Sequence, residues 1–201
     1  MAAIFPLATS SGSAGDLFFA VSFLIWVVVE IAVTVRSAYQ RSKGPKPTTA
    51  DRGSVWVIFL CVWGSFVASL ALAAAGIGLL PHAFVWLGAS LILVGVAIRA
   101  WAIWVLGGYF SYVVGVRADH RIVEAGPYRR IRHPAYTGAL ISILGVPIGY
   151  LTLPGLLLTT VVAMAAFLYR IRVEERLLSA QFGPDYEAYR SRTWRLIPYV
   201  Y

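Results

Sequence analysis

Between His120 and Tyr136 the chain carries a polar island in an otherwise apolar sequence, with Arg121, Arg129, Arg130, Arg132, His133 and Tyr128 inside it. A second polar block runs from Arg170 to Tyr189, after the last apolar segment. Guanidinium groups bind anions through paired hydrogen bonds, and imidazoles and phenols add both donors and acceptors. A membrane anchor or packing scaffold has little use for either block. Together they point to a reaction at a membrane–cytosol boundary. On a helical reading Arg170 and Glu174 stand four apart and share a face, although a plain intrahelical ion pair explains them as well. Glu175 and Arg176 are expected to point elsewhere, toward a solvated surface. Pro134 suits the first turn of a helix and restricts His133 to extended conformations, which sets His133 and Tyr136 at a helix start. Gly126-Pro127-Tyr128 supplies a turn that brings Tyr128 over the same region. An interfacial belt of aromatic and basic residues explains Tyr128 or Tyr136, but explains the dense Arg-His-Pro cluster less well.

Two charges lie within apolar segments. Burying Arg99 in hydrocarbon costs several kcal/mol, so it is a candidate functional residue, with snorkelling to the interface as the alternative. Glu30 is closer to the end of its segment and is expected to form a structural pair or to snorkel. Other chemistries lack support. There is no phosphate-gripping P-loop, Gly76-Ile-Gly78 follows no strand, and no serine sits in a nucleophile elbow. The three histidines lack metal-ligand spacing, so no metal site is expected. Cys61 stands alone, which excludes a disulfide framework and a thiolate metal site.

With 201 residues, 59% hydrophobic and 13% charged, the chain is too apolar for an ordinary soluble domain. The expected architecture is all-α: one integral membrane domain over residues 1–201, a polytopic bundle of five transmembrane helices. A hydrocarbon core of ~30 Å needs about 20 helical residues. Segments 17–35, 54–80 and 84–106 meet this. Region 136–169 reads as a hairpin of two short arms, 136–150 and 153–169, turning near Tyr150–Leu153. The second arm is expected to continue to about Ser179, before a break at Phe182-Gly183-Pro184. Gly64, Ala68, Ala71 and Ala75, at helical spacing, suggest close helix packing. No cleavable signal is apparent, because residues 1–16 lack a basic n-region. Of the 17 basic residues, all but Arg99 fall on one side of this topology. The positive-inside rule therefore puts the N-terminus outside and the C-terminus in the cytosol. The net charge of +8 fits anionic membrane lipids rather than nucleic acid, since it clusters beside apolar segments.

A further pattern joins these residues. Tyr109-Phe-Ser111, Asp119-His-Arg-Ile-Val123, Gly126-Pro-Tyr128, Arg132-His-Pro-Ala-Tyr-Thr-Gly138, Arg170-Ile-Arg-Val-Glu-Glu175, Phe182-Gly-Pro-Asp-Tyr186 and Tyr189 resemble the isoprenylcysteine carboxyl methyltransferase family. The resemblance covers roughly residues 99–198, half the chain. Phospholipid N-methyltransferases and some membrane sterol reductases have similar C-terminal halves. The family implies S-adenosyl-L-methionine in a cytosol-facing pocket built from segments 107–135 and 170–201, with the methyl acceptor entering from the bilayer. Carried over by position, His120, Arg121, Ile122, Val123, Tyr128, His133, Pro134, Ala135 and Tyr136 would line the cofactor pocket. Glu174 would contact the cofactor, Arg170 would face the acceptor, and Arg99 matches an arginine near the same site. The chain is shorter than eukaryotic members and resembles prokaryotic ones, so the acceptor in the family's name need not be this chain's acceptor.

Methyl transfer from a sulfonium is a direct displacement in which charge cancels, so the protein mainly aligns donor and acceptor and excludes water. A carboxylate acceptor is already ionised near neutral pH and needs a cationic holder rather than a base, a task that suits Arg99 and Arg170. The expected partner is a lipophilic small molecule or lipid. Methylation of a phospholipid amine or small thiol, an NADPH-dependent sterol-type reductase and a non-enzymatic lipid-binding scaffold are the competing readings.

Overall fold

The computed structural model describes residues 13–43, 48–49, 53–112, 115–116 and 121–199. Its elements in chain order are α1 (Ala14–Lys43), β1 (Thr48–Thr49), α2 (Ser54–Ala74), α3 (Phe84–Leu106), β2 (Gly115–Val116), α4 (Pro134–Gly149), α5 (Leu153–Phe182) and α6 (Pro184–Ser191). β1 and β2 form a two-residue antiparallel ribbon between the α1–α2 and α3–α4 connections. The rest of the architecture is helical.

Several helix boundaries have a local cause. Ser13 and Asp16 cap α1 reciprocally, Asp16 N donating to Ser13 Oγ at 3.3 Å and Ser13 N donating to Asp16 Oδ2 at 3.0 Å. α2 was expected to reach residue 80 but ends at Ala74. Gly76 and Gly78 take positive φ and turn the chain, so that Leu80 N donates to the Leu151 carbonyl at 2.7 Å and Leu153 N to the Gly78 carbonyl at 2.9 Å. A side chain on Gly78 would run into the Pro154 ring. α4 and α5 form the expected hairpin, joined through Tyr150, Leu151 and Thr152, the last capping α5 by accepting from Gly155 N. α5 then runs unbroken for 30 residues to Phe182, and Gly183, with φ of 51°, turns the chain into α6.

Four of the described helices are long and apolar enough to cross a membrane: α1, α2, α3 and α5. The expected fifth span, α4, has 16 residues. At the helical rise that is about 24 Å, short of a ~30 Å hydrocarbon core. Little of α4 faces outward. It is wedged against α3, where Gly88 and Gly95 meet Gly138, Gly145 and Gly149. A Cβ on Gly95 would lie 2.5 Å from the Gly138 carbonyl, and one on Gly145 would lie 2.6 Å from the Gly88 carbonyl. Glycine is needed on both helices for backbones to approach so closely. The Gly64, Ala68, Ala71, Ala75 stripe does not have the packing role expected of it. A Cβ on Gly64 would meet nothing within 4 Å among the described residues. Ala71 and Ala75 are exposed, and α2 instead buries Ser54, Val62, Ser65, Phe66 and Ser69.

The main core runs through the bundle with Phe19, Trp26, Phe66, Ile92, Ile143, Val146, Phe167 and Ile171. A second, smaller cluster of Ala102, Ile103, Tyr128 and Ala135 sits where α3 meets the start of α4. That cluster is the floor on which the polar residues are assembled.

Candidate active site

The site is built around the first turn of α4. Pro134 is its first residue and His133 precedes it with φ of −124°, as an X-Pro junction favours, but with ψ of 54°, short of the extended conformation expected for it. His133 is buried and its ring stacks on Tyr136, with centroids 5.5 Å apart and planes 9° from parallel. The Tyr136 hydroxyl donates to Glu174 Oε2 at 2.6 Å and accepts from Arg170 Nε at 2.8 Å. The phenol thus stands between the two α5 residues that share a face, where a simple intrahelical pair was the plain alternative. Arg170 is 3% exposed. Its Nη1 donates to Ser54 Oγ at 2.9 Å and its Nη2 to the Tyr112 carbonyl, while the guanidinium lies 5.7 Å from the Tyr136 ring centroid.

A polar cavity opens beside this group. Of the residues singled out in the sequence, Arg121, Ile122, Val123 and Tyr128 line it on one side. His133, Ala135, Tyr136, Glu174 and Arg170 line it on the other. Pro134 is buried and does not line it, because its ring starts the helix behind the cavity wall. His120 lies outside the described residues. The sequence reading missed Leu177 and Leu178, one turn beyond Glu174 on α5, which complete the lining. Their i+3 and i+4 spacing from Glu174 is a signal that could have found them. Tyr186 and Tyr189 of α6 also face the cavity. Burial pushes the phenols of Tyr128, Tyr186 and Tyr189 up from their ordinary range, so all three remain protonated donors. The carboxylates of Glu174 and Glu175 act in the same direction on Tyr186. The Tyr186 hydroxyl is buried and has no hydrogen-bond partner among the described residues.

Glu175 overturns its expected role. It is 7% exposed rather than solvated, and it binds Arg195 Nη2 at 2.8 Å, Arg132 Nε at 3.1 Å and His133 Nε2 at 3.4 Å. Its partners come from separate segments, so its neighbours in sequence could not reveal them. Arg176, its neighbour, is exposed as expected. The same contacts dock the C-terminal segment. Arg132 N donates to the Trp194 carbonyl at 2.7 Å, His133 N to the Arg195 carbonyl at 3.1 Å, and Thr137 Oγ1 to the Leu196 carbonyl at 2.7 Å. Tyr189 Oη adds a bond to the Tyr128 carbonyl at 2.8 Å.

Arg99 lies apart from the polar cavity. Its Nε sits 2.6 Å from Glu30 Oε1, its Nη1 donates to the Ala135 carbonyl at 3.0 Å, and its Nη2 donates to Tyr112 Oη at 3.0 Å. The Tyr112 hydroxyl in turn donates to Glu30 Oε2. Of the two expectations for Glu30, a structural pair or a snorkelling carboxylate, the structure has the pair, and Arg99 is its partner. Tyr112, which the sequence reading passed over, ties α1 and α3 to the loop. These three residues close one end of a second cavity, an apolar cleft between α1 and α2. Trp56, Phe59, Trp63 and Phe66 form an aromatic ladder along α2 with centroids 6.0–6.1 Å apart, and the first three line the cleft. Tyr136, Arg170, Phe110 and Ser111 line both cavities.

Comparison with known proteins bears on the family and the fold. The family model of phospholipid methyltransferases matches residues 83–185, just over half of the chain. A probable protein-S-isoprenylcysteine O-methyltransferase of Oryza sativa subsp. indica is 29% identical over 57% of this chain and 61% of its own. The protein-S-isoprenylcysteine O-methyltransferase of Saccharomyces cerevisiae is 32% identical over 57% of this chain and 48% of its own. The chain therefore spans about half to three fifths of the length of these relatives. The solved structure of the eukaryotic intramembrane Ras methyltransferase ICMT superposes with a TM-score of 0.67, covering 92% of this chain and 68% of that one at 21% identity. Its fold and the four apolar helices make this an integral membrane protein. The chain belongs to the phospholipid methyltransferase family and has the fold of isoprenylcysteine carboxyl methyltransferase.

Proposed function

We propose that the chain is an S-adenosylmethionine-dependent membrane methyltransferase acting on a lipophilic, anionic acceptor such as an isoprenylcysteine-like carboxylate. One observation carries this reading: a polar cavity and an apolar cleft meet at a shared wall that includes Tyr136 and Arg170. A soluble, charged donor and a lipid-borne acceptor need such a meeting point. The polar cavity fits the cofactor's chemistry. It offers aromatic surfaces for a nucleoside, the half-buried Glu174 carboxylate for a cationic amino group, and, for a polar atom of a ligand, the Tyr186 hydroxyl, which has no partner among the described residues. Arg121, Ile122, Val123, Tyr128, His133, Ala135 and Tyr136 complete the binding surface, with His120 assigned to it by sequence. When bound, S-adenosylmethionine supplies an electrophilic methyl on a sulfonium.

The protein's own work is to orient and to exclude water. Arg170 is buried and held on three sides, by Tyr136, Ser54 and the Tyr112 carbonyl, so it presents a fixed cation to an acceptor carboxylate. Arg99 supports the same wall through Glu30 and Tyr112 rather than meeting the acceptor alone. The aromatic ladder of α2 offers apolar surface to the acceptor's tail. The polar cavity faces the cytosol, with the N-terminus outside, on the strength of the basic residues gathered at this end of the bundle.

The test is S-adenosylmethionine binding by calorimetry on detergent-purified protein, beside Glu174→Ala and His133→Ala. Binding that weakens in both variants is expected, followed by transfer of labelled methyl to a prenylated cysteine analogue. A folded protein that binds no S-adenosylmethionine would sink the proposal. Transfer only to phospholipid amines or small thiols would move the acceptor to that class.

A further inference from the structure

The outward face of α5 carries a stripe with no role in the site. Leu158, Val161, Ala165, Tyr169, Arg172 and Arg176 are all exposed. Their spacings of 3, 4, 4, 3 and 4 residues keep them on one side of the helix. The opposite side of α5 is buried at Thr159, Ala163, Ala166, Phe167 and Arg170. The stripe is apolar over its first half, with Val161 69% exposed, then passes through an aromatic residue and ends in two arginines. At the helical rise, Arg172 and Arg176 lie about 6 and 12 Å past Leu168, the last aliphatic residue of the spanning stretch. If the hydrocarbon ends near Leu168, a headgroup layer of about 5 to 8 Å reaches Arg172, and the long side chain of Arg176 can reach back to it from one turn further on.

These two arginines differ from others at the same end of the molecule. Arg132 and Arg195 are bonded to Glu175, Arg190 to Glu187 and Arg192 to Glu124. Arg172 and Arg176 make no ion pair or side-chain hydrogen bond among the described residues. Two guanidinium groups without a partner among the described residues thus follow a strip of exposed apolar side chains on the same helix face. We propose that this face of α5 is a binding site for an anionic phospholipid of the surrounding bilayer, its acyl chains along Leu158–Tyr169 and its phosphate held by Arg172 and Arg176. The charge complementarity selects an anionic headgroup. The apolar half of the stripe selects a lipid over a free phosphate, which would find no tail contact to make. The inference does not depend on the methyl-transfer reading, since none of the six residues lines either cavity.

The experiment uses the full chain in nanodiscs of phosphatidylcholine alone or doped with phosphatidylglycerol, read by thermal melting. Lipids retained in mild detergent are counted in parallel by native mass spectrometry. The wild type is expected to melt higher in the doped discs and to retain phosphatidylglycerol over phosphatidylcholine by at least about fivefold, the contribution of one cation near an anionic surface. The double variant R172Q/R176Q falls to parity while melting as the wild type does in phosphatidylcholine. R129Q/R130Q removes the same charge from the same end, at two exposed arginines off the stripe, and keeps the preference. A wild type without preference overturns the proposal, as does a preference that survives in R172Q/R176Q. Equal loss in both double variants also overturns it, because net charge and not the α5 stripe would then be the cause. Soluble glycerol phosphate that competes the lipid away would reassign the arginines to a free-phosphate site and overturn it too.

Discussion

The polar cavity holds about 120 Å³ and its walls are bonded to one another, whereas the apolar cleft holds about 620 Å³ and is flanked by exposed tryptophans. In the first, Tyr136, Glu174 and Arg170 are joined by hydrogen bonds of 2.6 and 2.8 Å, and Glu175 pins the segments behind them. In the second, Glu30, Arg99 and Tyr112 are tied together at one end, and ring-to-ring contacts along α2 line the apolar remainder. The difference matches two kinds of ligand. A charged, compact ligand gains from donors already aimed at it, because ordering them beforehand removes that cost from binding. A flexible apolar tail asks only for area and tolerates a wall that adjusts. The two regions meet at Phe110, Ser111, Tyr136 and Arg170, so a substitution there can reach either side according to which partner it removes, and substitutions farther out should disturb one.

Arg170→Ala attacks the shared wall and has the largest expected effect. Turnover should fall by about 100-fold or more, the scale seen when one preorganised charge-stabilising group is removed. Cofactor affinity, measured by calorimetry, should stay within about threefold if Arg170, which lines both cavities, serves the acceptor as proposed. An equal loss of cofactor binding would mean that the two cavities are one site. Glu174→Gln removes only a charge of the polar cavity. Cofactor affinity should drop by about 10- to 100-fold, the range for a hydrogen bond to a charged group, with the acceptor KM unchanged. Tyr136→Phe keeps the ring stacked on His133 but cuts the link between Arg170 and Glu174. A fall of about tenfold in kcat/KM is expected, shared between cofactor and acceptor terms in steady-state kinetics. Trp63→Ala acts on the cleft alone. It should raise the acceptor KM by about threefold and leave cofactor binding untouched, because a partly exposed ring loses only part of its burial. Acceptors with shorter tails should feel it less.

How much of this was legible depends on where each residue's partners lie. The His133-Pro134 junction, the α4–α5 turn and the break at Gly183 were readable because backbone chemistry acts locally. Glu30 was readable as a pairing residue because an acid inside an apolar segment needs a partner close by. Glu175 was not. It follows Glu174 by one residue, about 100° around the helix, and its partners Arg132, His133 and Arg195 come from distant segments. Periodicity assigned it to solvent, whereas the docked C-terminal segment covers that side of α5. The small-residue stripe of α2 failed for a related reason. Small side chains permit close approach without specifying a partner, and the glycines of α3 and α4 found one another instead. Ser54 and Tyr112, both bonded to Arg170, carried no signal of their own.

The continuity of α5 has a consequence for insertions and deletions. One uninterrupted helix runs from the Thr152 cap to Phe182 and carries Arg170, Glu174 and Glu175 on its polar half. Adding one residue between Leu156 and Leu168 would advance everything beyond it by about 1.5 Å and swing it through about 100°. Arg170 would leave Tyr136, and Glu175 would leave Arg195. Three or four residues, close to one helical turn, would restore the facing but displace the polar half by about 4.5 to 6 Å along the axis. No length change in that stretch preserves both the angle and the height of the site, so its residue count is as much a part of the active geometry as any side chain.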